Sequence, residues 1–427
     1  MRASHTTVET LLARHLRLAR RPLSAIRLAG QGTLLLAGIL STAPAAAQLI
    51  GTANNTGYDT FTPLFGIGYS YDDNLFRLAE NQTPPGFERA DTSRQAYAGL
   101  EFERPVGRQL FTASAKVTRV SFKRHSEIDY NGKDFYGNWA WQLGNHLSGN
   151  IGASYIEMLT PFGDYNNTDR NLRTQRGQYA ELNWRFHPSW RLHTRYNHDE
   201  FDYDLTSQRY LDRKVDGGEA GIDYLAASGS TVGLQLRRVR ADYPNSQLLS
   251  TGLLDYSYTQ TTASLKVRWK VSGATEVLFL GGRAKRDRKA GVESSGTNGR
   301  VDVNWTVTPL VLVKGALWKQ FQPFEGSGVS YSLDKGASVG ATWMPRNQVK
   351  LDAELRRTKR DFEGPLTNTV LIGAADTTTL ASLSATYELR RYLSLSASVF
   401  RDKREATSFY SNSYRAKGAS VFVNAQF

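Results

Sequence analysis

Arg300-Val301-Asp302-Val303-Asn304-Trp305-Thr306-Val307-Thr308-Pro309 decides the fold. In an extended chain successive side chains point to opposite faces, so Val301, Val303, Trp305 and Val307 share one face. Arg300, Asp302, Asn304 and Thr306 share the other. Pro309 cannot donate to a ladder and marks a turn. Further along, Leu383, Ala385, Tyr387 and Leu389 alternate with Ser382, Ser384, Thr386 and Glu388. After a turn at Arg390-Arg391, Leu393, Leu395, Ala397 and Val399 alternate with Ser394, Ser396 and Ser398.

Working outward, the same unit recurs from about Phe61: strand, tight turn, strand, longer polar loop. Short turns are expected at Gly107, Gly144, Pro188, Gly229, Gly273, Pro309, Pro345 and Arg390. Their spacing of roughly 36 to 45 residues holds two strands of about ten or more residues and one loop. Longer loops are expected at Leu159 to Leu172, Asp242 to Asp255, and Phe362 to Gly373, none long enough to plug a wide barrel. The expectation is an all-β, transmembrane, antiparallel up-and-down β-barrel of about 18 strands, or about 16 if the first hairpin fails to pair.

A propeller or a soluble β-helix also repeats, but the two faces argue against them. Lys266, Arg268 and Lys270 oppose Leu265, Val267, Trp269 and Val271; Lys350, Asp352, Glu354 and Arg356 oppose Val349, Leu351, Ala353 and Leu355. An apolar face on lipid and a charged face on a wet lumen accommodate both sets. Trp184, Phe186, Tyr224, Trp269, Trp305, Trp343 and Tyr387 recur just before short turns, at the depth of an interfacial girdle. The last strand alternates Ala419, Val421, Val423, Ala425 and Phe427 with Ser420, Phe422, Asn424 and Gln426. Its terminal Phe427 resembles the signal read by the barrel assembly machinery.

The N-terminus reads as a secretory signal over residues 1–47. Arg14, Arg17, Arg20, Arg21 and Arg27 precede the apolar run Leu34–Leu40, and Ala45-Ala46-Ala47 supplies small residues for cleavage before Gln48. That run is shorter than the roughly 20 residues a membrane helix needs. Residues 48–60 form a short polar segment, and residues 61–427 the barrel. The chain has 427 residues, no cysteine and a formal charge of +13. The first 47 residues hold six Arg and one Glu, so +13 less +5 leaves +8 for the remainder. With no basic run and no zinc-ligand spacing, nucleic acid is not expected as a partner.

Strand phase gives inward-facing candidates. The basic ones are Lys116, Arg185, Arg191, Arg195, Arg237, Lys266, Arg268, Lys270, Arg300, Lys350 and Arg356. Glu101, Glu103, Glu181, Glu219, Asp223, Glu276, Asp302, Asp352, Glu354 and Glu388 nearly match them, so much of the lumen is expected to be an ion-pair ladder. Lys266, Arg268 and Lys270 still stand out on one strand, near Arg237 and Arg191, and Arg or Lys rings favour anionic solutes.

The first strand reads Gly66-Ile67-Gly68-Tyr69-Ser70-Tyr71-Asp72-Asp73-Asn74-Leu75-Phe76-Arg77. It resembles the opening of the EpsL-like outer-membrane β-barrel proteins found with exopolysaccharide operons, including exosortase-associated ones. The resemblance implies an outer-membrane conduit for a polysaccharide chain in a Gram-negative cell, working with periplasmic or inner-membrane export proteins; the basic cluster read from strand phase adds the expectation of an anionic chain. It implies no catalytic residue and no cofactor. Asp72, Asp73 and Asn74 lack the remaining ligands of a calcium loop and read as a turn.

A general or sugar-selective diffusion porin is the alternative, and an outer-membrane hydrolase a third. A hydrolase needs a nucleophile with its base, or paired carboxylates. After the signal only His125, His146, His187, His193 and His198 remain, and no nucleophile motif accompanies them. His198 and Asp199 are strand neighbours and so face opposite sides.

Overall fold

The computed structural model describes residues 60–427, apart from 80, 82, 84–85, 165–167, 246, 250–251, 289–292, 324–328, 366–372 and 408–410. The expected signal, and all but the last residue of the polar segment after it, lie outside the described residues.

Eighteen antiparallel strands close one barrel. The first nine are β1 (Phe61–Asp72), β2 (Asp91–Val106), β3 (Gln109–Phe122), β4 (Tyr130–Leu143), β5 (Leu147–Leu159), β6 (Leu172–His187), β7 (Trp190–Tyr203), β8 (Arg213–Leu225) and β9 (Thr231–Asp242). A small ribbon, β10 (Gln247–Leu249) with β11 (Gly252–Leu254), stands in the next loop. The barrel resumes with β12 (Tyr258–Lys270), β13 (Thr275–Arg288), β14 (Ser294–Thr308), β15 (Val311–Pro323) and β16 (Val329–Arg346). It ends with β17 (Val349–Pro365), β18 (Ala375–Arg390), β19 (Leu393–Ala406) and β20 (Tyr414–Gln426). Each strand pairs with its sequence neighbours, and β20 returns to β1, matching Leu64 with Gln426 and Asp72 with Gly418. The first hairpin pairs over its full length, from Phe61 with Phe102 to Asp72 with Asp91, so the count is 18 rather than 16.

Short turns gather at one rim and longer loops at the other. Gly107 and Gly144 turn with φ of 61° and 59°, a left-handed conformation that a side chain would strain. Two expected turns are displaced. Pro345 lies inside β16, Arg390 ends β18, and the chain reverses at 347–348 and 391–392 instead. Register shifts between Trp343 and Arg346, and between Glu388 and Arg390, carry each strand past the expected stop.

The faces divide as their period of two requires. Leu234, Leu317, Val339, Leu355, Leu383, Val399 and Val421 stand outward and exposed, as do Trp184, Trp269, Trp305, Trp343 and Tyr387 nearer the short turns. An apolar belt above an aromatic girdle, on a sheet with no free edge, is a surface matched to lipid. The chain is an outer-membrane β-barrel. The side chains of the conventional core lie elsewhere, at the long-loop rim. There Phe76, Leu78, Ile128 and Phe162 cluster, drawn from three different loops.

Candidate conduction path

Inward-facing charges are mostly matched. Lys116 lies 3.3 Å from Asp134 on the adjacent strand. Arg191 donates to Asp223 at 2.5 and 3.0 Å, and His193 Nδ1 meets the same carboxylate at 3.1 Å. Arg268 pairs with Glu276. Arg300 grips Asp302 (2.6 Å), Lys350 meets Asp352 (3.1 Å) and Arg356 meets Glu354 (3.2 Å), each pair two residues apart on one strand. The expected ladder is therefore present. Apart from the buried Asp223, its members are partly open to the lumen, where each such pair contributes at most about 1 kcal/mol.

Arg195 and Arg237 belong to one alternating row. Glu181 stands opposite Arg195, Arg195 opposite Glu219, and Glu219 opposite Arg237, across β6 to β9. Arg195 also lies over the Tyr179 ring, 5.1 Å from its centroid. The trio on β12 separates on inspection. Arg268 is neutralised by Glu276, and Lys270 is exposed beside the turn at Gly229. Lys266 has no ion-pair partner among the described residues, and it stands opposite Gly233 and Leu280, neither of which bears charge. Arg185 sits exposed at the short-turn rim. The Lys266–Arg268–Lys270 cluster thus reduces to one uncompensated charge at mid-wall and one near the mouth.

The sequence reading missed the inward aromatics. Trp318 on β15 stands opposite Gly336, and a Cβ there would lie 2.3 Å from its ring, so the indole lies flat against the β16 backbone. The guanidinium carbons of Arg300 and Arg356 are 5.6 and 5.5 Å from its centroid. Tyr179 lies over Gly152 in the same way, and its hydroxyl donates to Asn138 (2.8 Å) and meets Tyr136 at 3.1 Å. Phe422 covers Gly68. A large ring opposite an inward glycine was the available signal, since only glycine admits such an approach.

At the long-loop rim the described stretch 73–79 folds back on the wall. Arg77, with φ 56°, lies 2.8 Å from Asp72 and 3.5 Å from Asp402. Burial works against its charge, but Asp72, Tyr414 and Asp402 together hold the guanidinium above its ordinary pKa. Asn74 donates to Leu78 and Arg415 carbonyls, both at 2.9 Å. Asp72 and Asn74 are thus spent on structure. No cluster suited to a metal occurs among the described residues. From the far side, the Gly163 carbonyl in the β5–β6 loop accepts a hydrogen bond from Arg404 on β19. The β5–β6 loop thus reaches across the mouth to β19, six strands from β5.

His198 faces outward, bonded to Asp216 (2.8 Å), while His193 is buried against Asp223. His125 Nε2 meets the Glu88 carbonyl at 2.8 Å.

Residues 264–427 match the family described as "Putative beta-barrel porin 2". No curated protein matches the chain. Among solved structures, the chain is similar to OccK2 (OpdF) of Pseudomonas aeruginosa, with a TM-score of 0.48, 10% identity, and coverage of 86% of this chain and 98% of that one. It is similar to OpdK of Pseudomonas aeruginosa, solved with vanillate, at TM-score 0.46 and 12% identity, covering 87% and 100%. OccAB3 of Acinetobacter baumannii gives 0.45 and 11%, covering 86% and 99%.

Proposed function

We propose that this barrel is a diffusion channel of the outer membrane that passes carboxylated saccharides more readily than neutral ones. The observation that carries this is Lys266, an inward mid-wall cation without an ion-pair partner among the described residues, beside pairs such as Arg268–Glu276 and Arg300–Asp302 that neutralise themselves. Paired charges contribute little net field, so an uncompensated cation at mid-wall biases the path toward anions. Trp318 and Tyr179 add flat apolar faces beside guanidinium groups, chemistry suited to a sugar ring bearing a carboxylate.

Planar-bilayer recordings test it. The wild type should show an anion-favouring reversal potential and conduct a uronate faster than a neutral hexose; equal permeation of both ends the proposal.

A second reading, a conduit for an exopolysaccharide, is favoured by the resemblance of Gly66–Arg77 to the EpsL-like opening. In that reading the chain acts with separate periplasmic or inner-membrane export proteins. Gene deletion decides it. Loss of surface polysaccharide with intact inner-membrane synthesis supports export, and unchanged surface polysaccharide leaves the channel alone.

A further inference from the structure

The outer face of β15 to β20 carries an arrangement that neither conduction nor folding uses. Lys319 stands directly opposite Lys335, and Lys335 directly opposite Lys359, so three lysines lie side by side on three adjacent strands. Two further like-charge pairs follow along the same face: Lys403 opposite Arg415, and Arg401 opposite Lys417. Residues opposed across a ladder stand about 5 Å apart, and like charges there oppose strand pairing.

Among the described residues, the acids on this face, Asp361, Glu363 and Glu405, are outnumbered by the cations. Asp361 serves both Lys335 (2.8 Å) and Lys359 (3.1 Å), and Glu405 serves Lys403. Among the described residues, Lys319 has no ion pair and donates to the Thr297 hydroxyl at 3.0 Å. The side chains of Lys335 and Lys359 remain about half exposed, at 47% and 55%.

Their height is what identifies a partner. Leu317 lies two residues from Lys319 toward the short turns, and Val339 lies four from Lys335. Val399 lies two from Arg401. Two strand residues rise about 7 Å, so the cations stand immediately above the apolar belt, on the long-loop side. That is the headgroup level of the outer leaflet.

We propose that Lys319, Lys335 and Lys359, with the Arg401–Lys417 and Lys403–Arg415 pairs, form a docking surface for the phosphate groups of an outer-leaflet glycolipid. Several phosphates on one rigid sugar headgroup bridge neighbouring cations and relieve their repulsion. A singly charged phospholipid reaches one cation at a time. The surface is independent of what the lumen conducts.

The test uses the full barrel, folded in detergent and stripped of lipid. Titration with a diphosphorylated disaccharide glycolipid, its dephosphorylated form, phosphatidylglycerol and inorganic phosphate is read by native mass spectrometry. The diphosphorylated lipid should bind at least about tenfold more tightly than either other lipid, with inorganic phosphate a weak competitor, as expected when several cations near an anionic surface act together. The triple variant Lys319→Ser, Lys335→Ser, Lys359→Ser should lose that margin, and the corresponding triple Arg variant should keep it. Equal binding of phosphorylated and dephosphorylated lipid overturns the proposal, as does phosphatidylglycerol binding as tightly, or a folded serine variant that binds like wild type. The lipid comparison on the unmodified protein decides the matter even where a variant fails to fold.

Discussion

Arg77 and Asp402 lie 3.5 Å apart, one in the first loop and the other on the nineteenth strand, both almost fully buried. With Asp72 they pin the 73–90 loop to the wall, and the hydrogen bond from Arg404 to Gly163 pins a second loop beside it. Phe76, stacked edge-on against Phe162 at 4.7 Å, joins the two.

Removing one member of a buried charge pair leaves the other uncompensated, at a cost of about 3–5 kcal/mol. Arg77→Ala should therefore release the 73–90 loop without opening the barrel. Limited proteolysis should cut that loop faster, and single-channel traces should become noisier. Unchanged proteolysis and noise would show that the loop is held by its apolar contacts alone.

Lys266→Glu should shift the bilayer reversal potential toward cations, while Lys350→Gln should shift it much less, because Asp352 already balances Lys350. The double variant Lys266→Glu with Arg268→Glu should shift it further, since Glu276 then loses its partner. If selectivity is unchanged in the double variant, the lumen field has another source.

Gly336→Val places carbon where the Trp318 ring lies. Overpacking of this kind costs about 1–3 kcal/mol, and the displaced indole narrows the path. Urea unfolding in detergent and single-channel conductance should both fall. The double variant Gly336→Val, Trp318→Ala should recover conductance.

Asp223 is fully buried and holds Arg191 and His193 together. Asp223→Asn should destabilise the barrel by about 3 kcal/mol or more, measured as a lower urea midpoint, with little change in ion selectivity because Arg191 lies near the short-turn mouth.

Phe427 stacks on Tyr392, centroids 5.6 Å apart, and its amide donates to the Pro63 carbonyl at 3.1 Å. Its deletion should lower the amount of folded barrel reaching the outer membrane more than it lowers the stability of refolded protein. Equal losses in both assays would make it an ordinary packing residue.

The strand phase was legible because a period of two leaves no freedom: once Val301 faces lipid, Asp302 faces the lumen. Ion pairs such as Arg300–Asp302 and Lys350–Asp352 were legible in principle too, as opposite charges two residues apart on one face. The turn positions near Pro345 and Arg390 were not, because bulges move the register without changing the hydrophobic alternation. Nor was the rim cluster. Arg404 and Gly163 meet only after the ring has closed, and no local pattern in either segment announces the other. The phase of Trp318 was readable, but its contact with Gly336 needed the cross-strand register.

The pairing of β1 with β20 has a temporal consequence. The strand that must receive Phe65 and Tyr69 is the last to be synthesised, so the sheet stays an open ribbon with two unsatisfied edges until translocation of the whole chain is complete. The closing seam runs from Leu64 with Gln426 at one end to Asp72 with Gly418 at the other. Both ends of the barrel sequence lie at the same rim of that seam. A circularly permuted chain, with the ends of the barrel sequence joined and a short turn opened instead, would move the seam to another pair of strands while leaving every strand neighbour in place.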